Sequence, residues 1–350
     1  MQECKSVSFK GQTIFIGMDV HKKSWRVTER HGGHDLKTYN MTPSTEELVK
    51  RLHKQYPEAG YRSVYEAGFC GFWIDRELRE YGIDNIVVNP ADIPTSEKER
   101  LLKNDVRDSR KLARELENGS LAPIYIPSLE NLRLRDLVRR ETQIVNNMTR
   151  CKNRIKSYLS LYNLPLPPNW SGAHLQRVQQ AAVKGKIVSL CSLITELSWL
   201  KQHKVKLMEA EKKFLEHQGL RPLQRHLDSI PGIGFRTTVV LISEIWDMKR
   251  FKTDKYLTAY VGLAPRLVGS GEHEQMRGAG KRKHKLLQSL LIESAWRAIT
   301  KDMDLRAKFG QILIKGNQQK AITVIARKLL MRVRAVWLQD RNYQIKPVSE

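Results

Sequence analysis

The chain has 350 residues, 61 of them Lys or Arg and 37 Asp or Glu, for a formal net charge of +24. That length points to two or three domains, and a hydrophobic fraction of 41% is enough to build their cores. The excess positive charge runs along the whole chain and calls for a polyanionic partner, nucleic acid first, while the absence of any long apolar run or basic amphipathic tail argues against a membrane. The opening "MQECKSVSFKGQ" has no apolar core of a signal peptide. Cys4, Cys70, Cys151 and Cys191 are far apart and form no CxxC pair. Reduced thiols in a cytoplasmic protein are therefore expected, without a structural zinc site.

In chain order, "TIFIGMDVH" reads as a strand ending near Asp19, and "WRVTERHG" pairs with it as a hairpin through "HKKS". "TPSTEELVKRLHKQY" is a capped helix, with Ser44 or Thr45 at its start and Glu46 or Glu47 in the first turn. "YRSVYEAG" is a second buried-type strand, ending in Glu66, and the helix "GFWIDRELREYG" stops at Gly82. "NIVVNP" is a third buried-type strand, and "LLKNDVRDSRKLA" opens a helix that runs to "ENG". Strands alternating with helices imply an α/β layer, expected over residues 12–128. From Leu129 a long helical pattern carries Leu137, Ile144, Met148, Ile155 and Leu159 until "PLPPNWSG" breaks it. A second amphipathic helix follows over about Val188 to His217. The pair reads as a helical hairpin or coiled-coil arm over residues 129–217, suited to self-association or to contact with nucleic acid. A mainly helical domain is expected over residues 218–341. In it "PGIG" sits between two helical runs, the pattern of a helix-hairpin-helix, whose Gly232 and Gly234 would let backbone approach a phosphate. The competing reading is a plain αα turn. "KAITVIARKLLMRVRAVWLQD" closes it as a basic amphipathic helix.

Four carboxylates stand out. Asp19 and Glu66 end strands, and Asp105 and Asp108 lie three apart on one helix face among Arg107, Arg110 and Lys111. Any one of them is ordinarily a salt bridge or a helix cap. As a set at one edge of an α/β sheet, they are hard oxygen ligands for Mg²⁺ or Mn²⁺. Two such ions about 4 Å apart serve in-line attack at a phosphodiester.

The ordered set "IGMDVHK", "YEAGFCGFW", "KNDVRDSRKLA", "SIPGIG" and "YVGLAPRLVGSG" resembles the IS110 family of insertion-sequence transposases, which includes the Piv-type DNA invertases, from about Ile14 to Trp337. The resemblance implies an RNase H-like (RuvC-like) N-terminal domain whose D-E-D-D tetrad falls on Asp19, Glu66, Asp105 and Asp108. It also implies a serine nucleophile in a "PRxxxSG" context, which falls on Ser270. The resemblance further implies target and donor DNA as partners, a dimer or tetramer, and a cytoplasmic, nucleoid-associated prokaryotic protein, and it alone implies a structured guide (bridge) RNA. Where many members carry Gly-Asn after the serine loop, this chain has Lys283-His284.

A serine hydroxyl is a weak nucleophile and needs a base, a metal or concentrated positive charge. Arg266, Arg277, Lys281, Arg282, Lys283 and Lys285 supply that charge around a pentavalent phosphate. His273 is a candidate proton shuttle, though a solvated loop histidine is the simpler account. The function read from all of this is a DNA transposase or recombinase that cuts and rejoins strands. The alternatives are a RuvC-like, metal-dependent nuclease on branched DNA without a covalent intermediate, and a nucleic-acid-binding protein with no catalysis.

Overall fold

The computed structural model describes residues 8–94, 105–264, 266–268, 275–277, 283–314 and 316–344, without the side chains of 105–107, 266–268 and 275–277. They fall into two compact units, Met1–Pro127 and Ser128–Glu350.

The first unit is built on a five-stranded sheet of order β3-β2-β1-β4-β5. β1 (Thr13–Val20), β2 (Trp25–His31) and β3 (His34–Met41) form an antiparallel meander. β4 (Gly60–Glu66) runs parallel to β1, and β5 (Asp84–Val88) parallel to β4. A parallel neighbour needs a crossover, and α1 (Thr45–Gln55) and α2 (Trp73–Glu80) provide the two crossovers. Ser44 caps α1 by accepting a hydrogen bond from the Glu47 amide at 3.2 Å. α1 and α2 cover one face of the sheet, where Ile14, Ile16, Met18, Trp25 and Tyr65 meet Leu48, Leu52, Ile74 and Leu78 in a closed core. α3 (Asp105–Glu117) covers the other face, where Leu112 and Leu116 pack on Val64 and Val88.

β3 is a strand that the apolar pattern does not announce. Its sequence "HDLKTYNM" is polar and mostly exposed, as suits an edge strand. Gly32 and Gly33, at φ +59° and +82°, make the two-residue turn that folds it back on β2, a geometry that needs positive φ at both positions.

The second unit is mostly helical. α4 (Leu129–Leu161) and α6 (Val188–His217) pack along each other. A shorter helix, α5 (Gly172–Lys184), comes between them in the chain. Leu175, Val178 and Ala182 of α5 join Ile144, Ile155 and Leu159 of α4 and Leu190, Ile194 and Leu197 of α6 in one core. Both long helices also reach a second core, through Leu134 and Val138 of α4 and Leu215 of α6. The inward stripe of α4 thus runs Leu134, Val138, Ile144, with Leu137 only half-buried. The rest of that core comes from α7 (Arg221–Asp228), α8 (Phe235–Ile245), α9 (Asp254–Val261), α10 (Lys285–Lys301), α11 (Met303–Ile314) and α12 (Gln318–Gln339). Among the described residues no helix is long and apolar enough to cross a membrane.

Candidate active site

Side chains alternate along a strand, so the faces of β1 and β4 can be read residue by residue. Ile14, Ile16 and Met18 enter the core under α1 and α2, which leaves Phe15, Gly17 and Asp19 on the α3 face. On β4, Tyr65 enters that same core, so Val64 and Glu66 share the α3 face. The parallel register pairs Met18 with Tyr65. Asp19 and Glu66 therefore follow as neighbours at the carboxyl edge of the sheet, on one face.

α3 completes the arrangement because β1 carries a glycine where the helix crosses. A Cβ built on Gly17 would lie 2.1 Å from the Ser109 carbonyl oxygen and 2.4 Å from the Ala113 amide nitrogen. Only glycine permits so close an approach. The buried Ser109 hydroxyl lies 2.9 Å from that of Thr28, which pairs with Gly17 across the β1–β2 ladder. At the far end of α3, Glu117 accepts hydrogen bonds from Arg30 at 2.6 Å and from the Gly33 amide at 3.0 Å, and Arg30 pairs with Phe15. α3 thus runs antiparallel to β1. Its first turn, with Asp105 and Asp108, comes to the Asp19 end of the strand.

Asp19 sits 3.1 Å from the Nε2 of His21, and both Asp19 and Asp108 are half-buried. The side chain of Asp105 lies outside the described residues, as does that of Arg107. Among the described residues no three His, Cys, Asp or Glu gather closely enough to hold a metal ion. The donor chemistry of Asp19, Glu66 and Asp108 is all carboxylate oxygen, which fits a hard divalent cation and not a soft one. Arg110 is engaged on β3, where its Nε reaches Thr38 Oγ1 at 3.3 Å and Asp35 at 3.6 Å. Lys111 is half-buried.

Comparison with known proteins bears on this edge. A transposase model of the DEDD IS110 type matches residues 16–164, and a second, described as "Transposase IS116/IS110/IS902 family", matches residues 207–310. The chain belongs to the IS110 family of insertion-sequence transposases. A Sinorhizobium fredii protein described as a candidate transposase, y4qE, is 26% identical over 81% of this chain and 71% of its own length. A second from the same organism, y4rJ, is 27% identical over 93% and 91%. The transposase for insertion sequence element IS1111A of Coxiella burnetii is 25% identical over 80% and 79%.

In the second unit of this transposase, the predicted serine loop lies between two short strands. β6 (Arg266–Val268) and β7 (Gln275–Arg277) pair antiparallel, with Arg266 opposite Arg277. Ser270, His273, Lys281 and Arg282 lie outside the described residues. Lys283 and Lys285 are exposed on either side of His284, which caps α10 by accepting from the Leu287 amide at 3.3 Å. His284 does here what Asn does well at a helix start.

The other nitrogen of His284, Nε2, lies 3.2 Å from Glu244, at the centre of a cluster that the sequence reading overlooked. Glu244 is buried and takes two hydrogen bonds from Arg139, at 3.0 and 3.1 Å. Burial pushes its carboxyl up, but the hydrogen bonds of His284 and Arg139 outweigh burial and hold it at about 2. The last carbonyls of α8 have no partner within the helix. Asn131 and Arg135 bind that of Ser243, Arg135, Arg250 and Tyr260 that of Glu244, and Arg250 that of Ile245. The signal was one glutamate at the end of the apolar run "TTVVLISEI".

The helix-hairpin-helix reading falls on α7 and α8. Gly232, at φ +86°, is required by packing, since a Cβ there would lie 2.4 Å from the Ser294 carbonyl of α10. Gly234 precedes α8 with open space around it and is the position free to meet a phosphate.

Proposed function

We propose that this transposase cuts and rejoins DNA strands with a carboxylate site of Asp19, Glu66, Asp105 and Asp108 in an RNase H-like first unit, and with Ser270 of the second unit as nucleophile. The observation that carries the first half is the contact of α3 on Gly17, which brings the D-x-x-D turn to the sheet edge shared by Asp19 and Glu66. The four carboxylates would hold Mg²⁺ or Mn²⁺; bound there, such an ion lowers the pKa of an attacking hydroxyl and stabilises charge on the phosphodiester.

Ser270 would attack the phosphodiester, forming a phosphoserine link and releasing a 3′ or 5′ hydroxyl that later reverses the step. Arg266, Arg277, Lys281, Arg282, Lys283 and Lys285 would stabilise the charge that develops on phosphorus. Arg107, Arg110, Lys111, Gly232 and Gly234 would contact the backbone of target and donor DNA. Guidance by a structured RNA rests on the family resemblance and on net charge, and assembly into a dimer or tetramer through the α4–α6 arm on the family resemblance and on the apolar helical pattern of the arm.

The test uses labelled DNA and denaturing gels. Asp19→Ala, Glu66→Ala, Asp105→Ala and Asp108→Ala are each expected to stop Mg²⁺-dependent cleavage while the protein stays folded. Ser270→Ala is expected to bind DNA and to form no covalent adduct. If wild type releases cut ends and never an adduct, while the aspartate variants are inactive, water is the nucleophile and the serine half of the proposal falls.

A further inference from the structure

In the first unit Phe69 is the most exposed large apolar side chain among those described, at 60%, ahead of Tyr81, Trp73 and Leu36. It lies in the loop that leaves β4, three residues after Glu66. This loop is pinned at both ends. The Ala67 amide donates to the Val88 carbonyl at 2.8 Å, and the Tyr65 hydroxyl donates to the Gly71 carbonyl at 3.1 Å. Cys70 and Phe72 turn inward against the core, and Gly71, at φ +62°, makes the bend that lets them do so. The ring of Phe69 is thus held outward by an ordered loop and forgoes the burial that an apolar ring ordinarily finds. The turn after β1 supplies a second observation. Lys22, three residues after Asp19, places its ammonium 5.8 Å from the centre of the Phe69 ring. Lys22 and Lys23 are both exposed.

β1 and β4 are adjacent and parallel, so both loops rise from the same edge of the sheet as Asp19 and Glu66. A flat exposed ring with a lysine over one face and the other face left for a base, next to a site for a phosphodiester, matches the chemistry of single-stranded nucleic-acid binding. An aromatic ring takes the face of a base, whatever the base, and the cation takes the backbone. A base inside a duplex has both faces covered, so the ring can accept only an unstacked one.

We propose that Phe69 and Lys22 form a stacking site for an unstacked nucleobase of the DNA strand beside the scissile phosphate, with Lys22 on the adjoining phosphate. The site tolerates any base, since stacking reads the face of a base and not its edge. Its location beside the cleavage point rests on the carboxylate reading of Asp19 and Glu66; its binding of a base does not.

The test uses the full-length protein in EDTA, so that binding is measured without cleavage. Single-stranded oligodeoxynucleotides carrying 5-iododeoxyuridine at successive positions are irradiated with the protein, and the adducts are mapped by mass spectrometry. Phe69 is expected among the crosslinked residues. Phe69→Leu keeps the bulk and removes the π face, and is expected to weaken single-strand binding about five- to hundredfold, the loss of one stacked base. Phe69→Tyr is expected to bind as wild type. Phe69→Leu with wild-type affinity, or crosslinks that leave Phe69 untouched, overturns the proposal. Asp19→Asn separates the two readings. If it cleaves normally while Phe69 still crosslinks, the carboxylate reading fails and the stacking site stands. If it is inactive while Phe69 never crosslinks, the stacking site fails alone.

Discussion

Replacing Gly17 by alanine tests whether the approach of α3 to β1 sets the candidate active site. The added Cβ would lie 2.1 Å from the Ser109 carbonyl, where an ordinary contact starts at 3.4 Å, so the helix must retreat by about 1.3 Å. The obstacle is backbone on both sides, Ser109 and Ala113, and no side chain can swing aside. Overpacking of this kind costs about 1 to 3 kcal/mol. Retreat also pulls the Ser109 hydroxyl from Thr28, a buried hydrogen bond contributing about 1 kcal/mol. The first unit is therefore expected to lose about 2 to 4 kcal/mol of stability. The same movement carries the Asp105–Asp108 turn away from Asp19 and Glu66. A displacement of about 1 Å in reacting groups lowers rate by about a hundredfold, and cleavage is expected to fall by that factor. Urea unfolding followed by circular dichroism reads the first effect, and cleavage of labelled DNA in excess Mg²⁺ reads the second. Gly172→Ala, in the first turn of α5 with open space around it, is the control that should neither destabilise the protein nor slow cleavage. A Gly17→Ala protein that unfolds at the wild-type midpoint and cuts at the wild-type rate would refute the reasoning.

Gly232→Ala is expected to destabilise the second unit by about 2 to 4 kcal/mol, from overpacking against α10 and a left-handed backbone that alanine resists. Gly234→Ala, in open space at the start of α8, should cost no more than about 1 kcal/mol, the poorer capping of alanine, so a loss of DNA affinity from a protein still folded reports backbone contact with phosphate. Stability should also depend on Glu211, which is buried; burial first, and then the neighbouring Glu141, raise its carboxyl to about 7, against the opposing pull of Arg236 and Lys204. A raised folded pKa favours the protonated form, so its contribution is fully present below about 4.5 and is lost as pH rises through about 7. Glu211→Gln is neutral throughout. It is expected to be more stable than wild type at pH 8 by on the order of 2 to 3 kcal/mol and no more stable at pH 4, as read from urea midpoints at the two pH values. Equal midpoints at pH 8 would place the Glu211 carboxyl in its ordinary range.

Local pattern alone was enough for the elements with strong periodicity or punctuation. "TIFIGMDV" reads as β1, Ser44 or Thr45 as the start of α1, where Ser44 is the cap, and the proline-rich break as the end of α4, because each depends on residues close together in the chain. The motifs naming the family were legible for the same reason. β3 was not legible, since an edge strand has no buried face to impose alternation; its only marks were Gly32 and Gly33. α5 was hidden behind "PLPPNWSG", although Ser171 caps it, because its apolar positions gain meaning only once α4 and α6 lie beside it. Asp19, Glu66 and the D-x-x-D pair could be named as candidates, but residues 19 and 108 are 89 positions apart, and their approach depends on how tightly one helix crosses one strand. That distance is decided at Gly17, by a missing side chain, and no pattern of charge or hydropathy records an absence whose partner is a backbone carbonyl in another element. Gly232 is the same case, marked as a turn by sequence and fixed as a packing contact only by α10. Glu244 stands between them: a carboxylate at the end of an apolar run was visible, whereas Arg139 and His284, 105 residues before it and 40 after, were joined to it only by the packing of α4, α8 and α10.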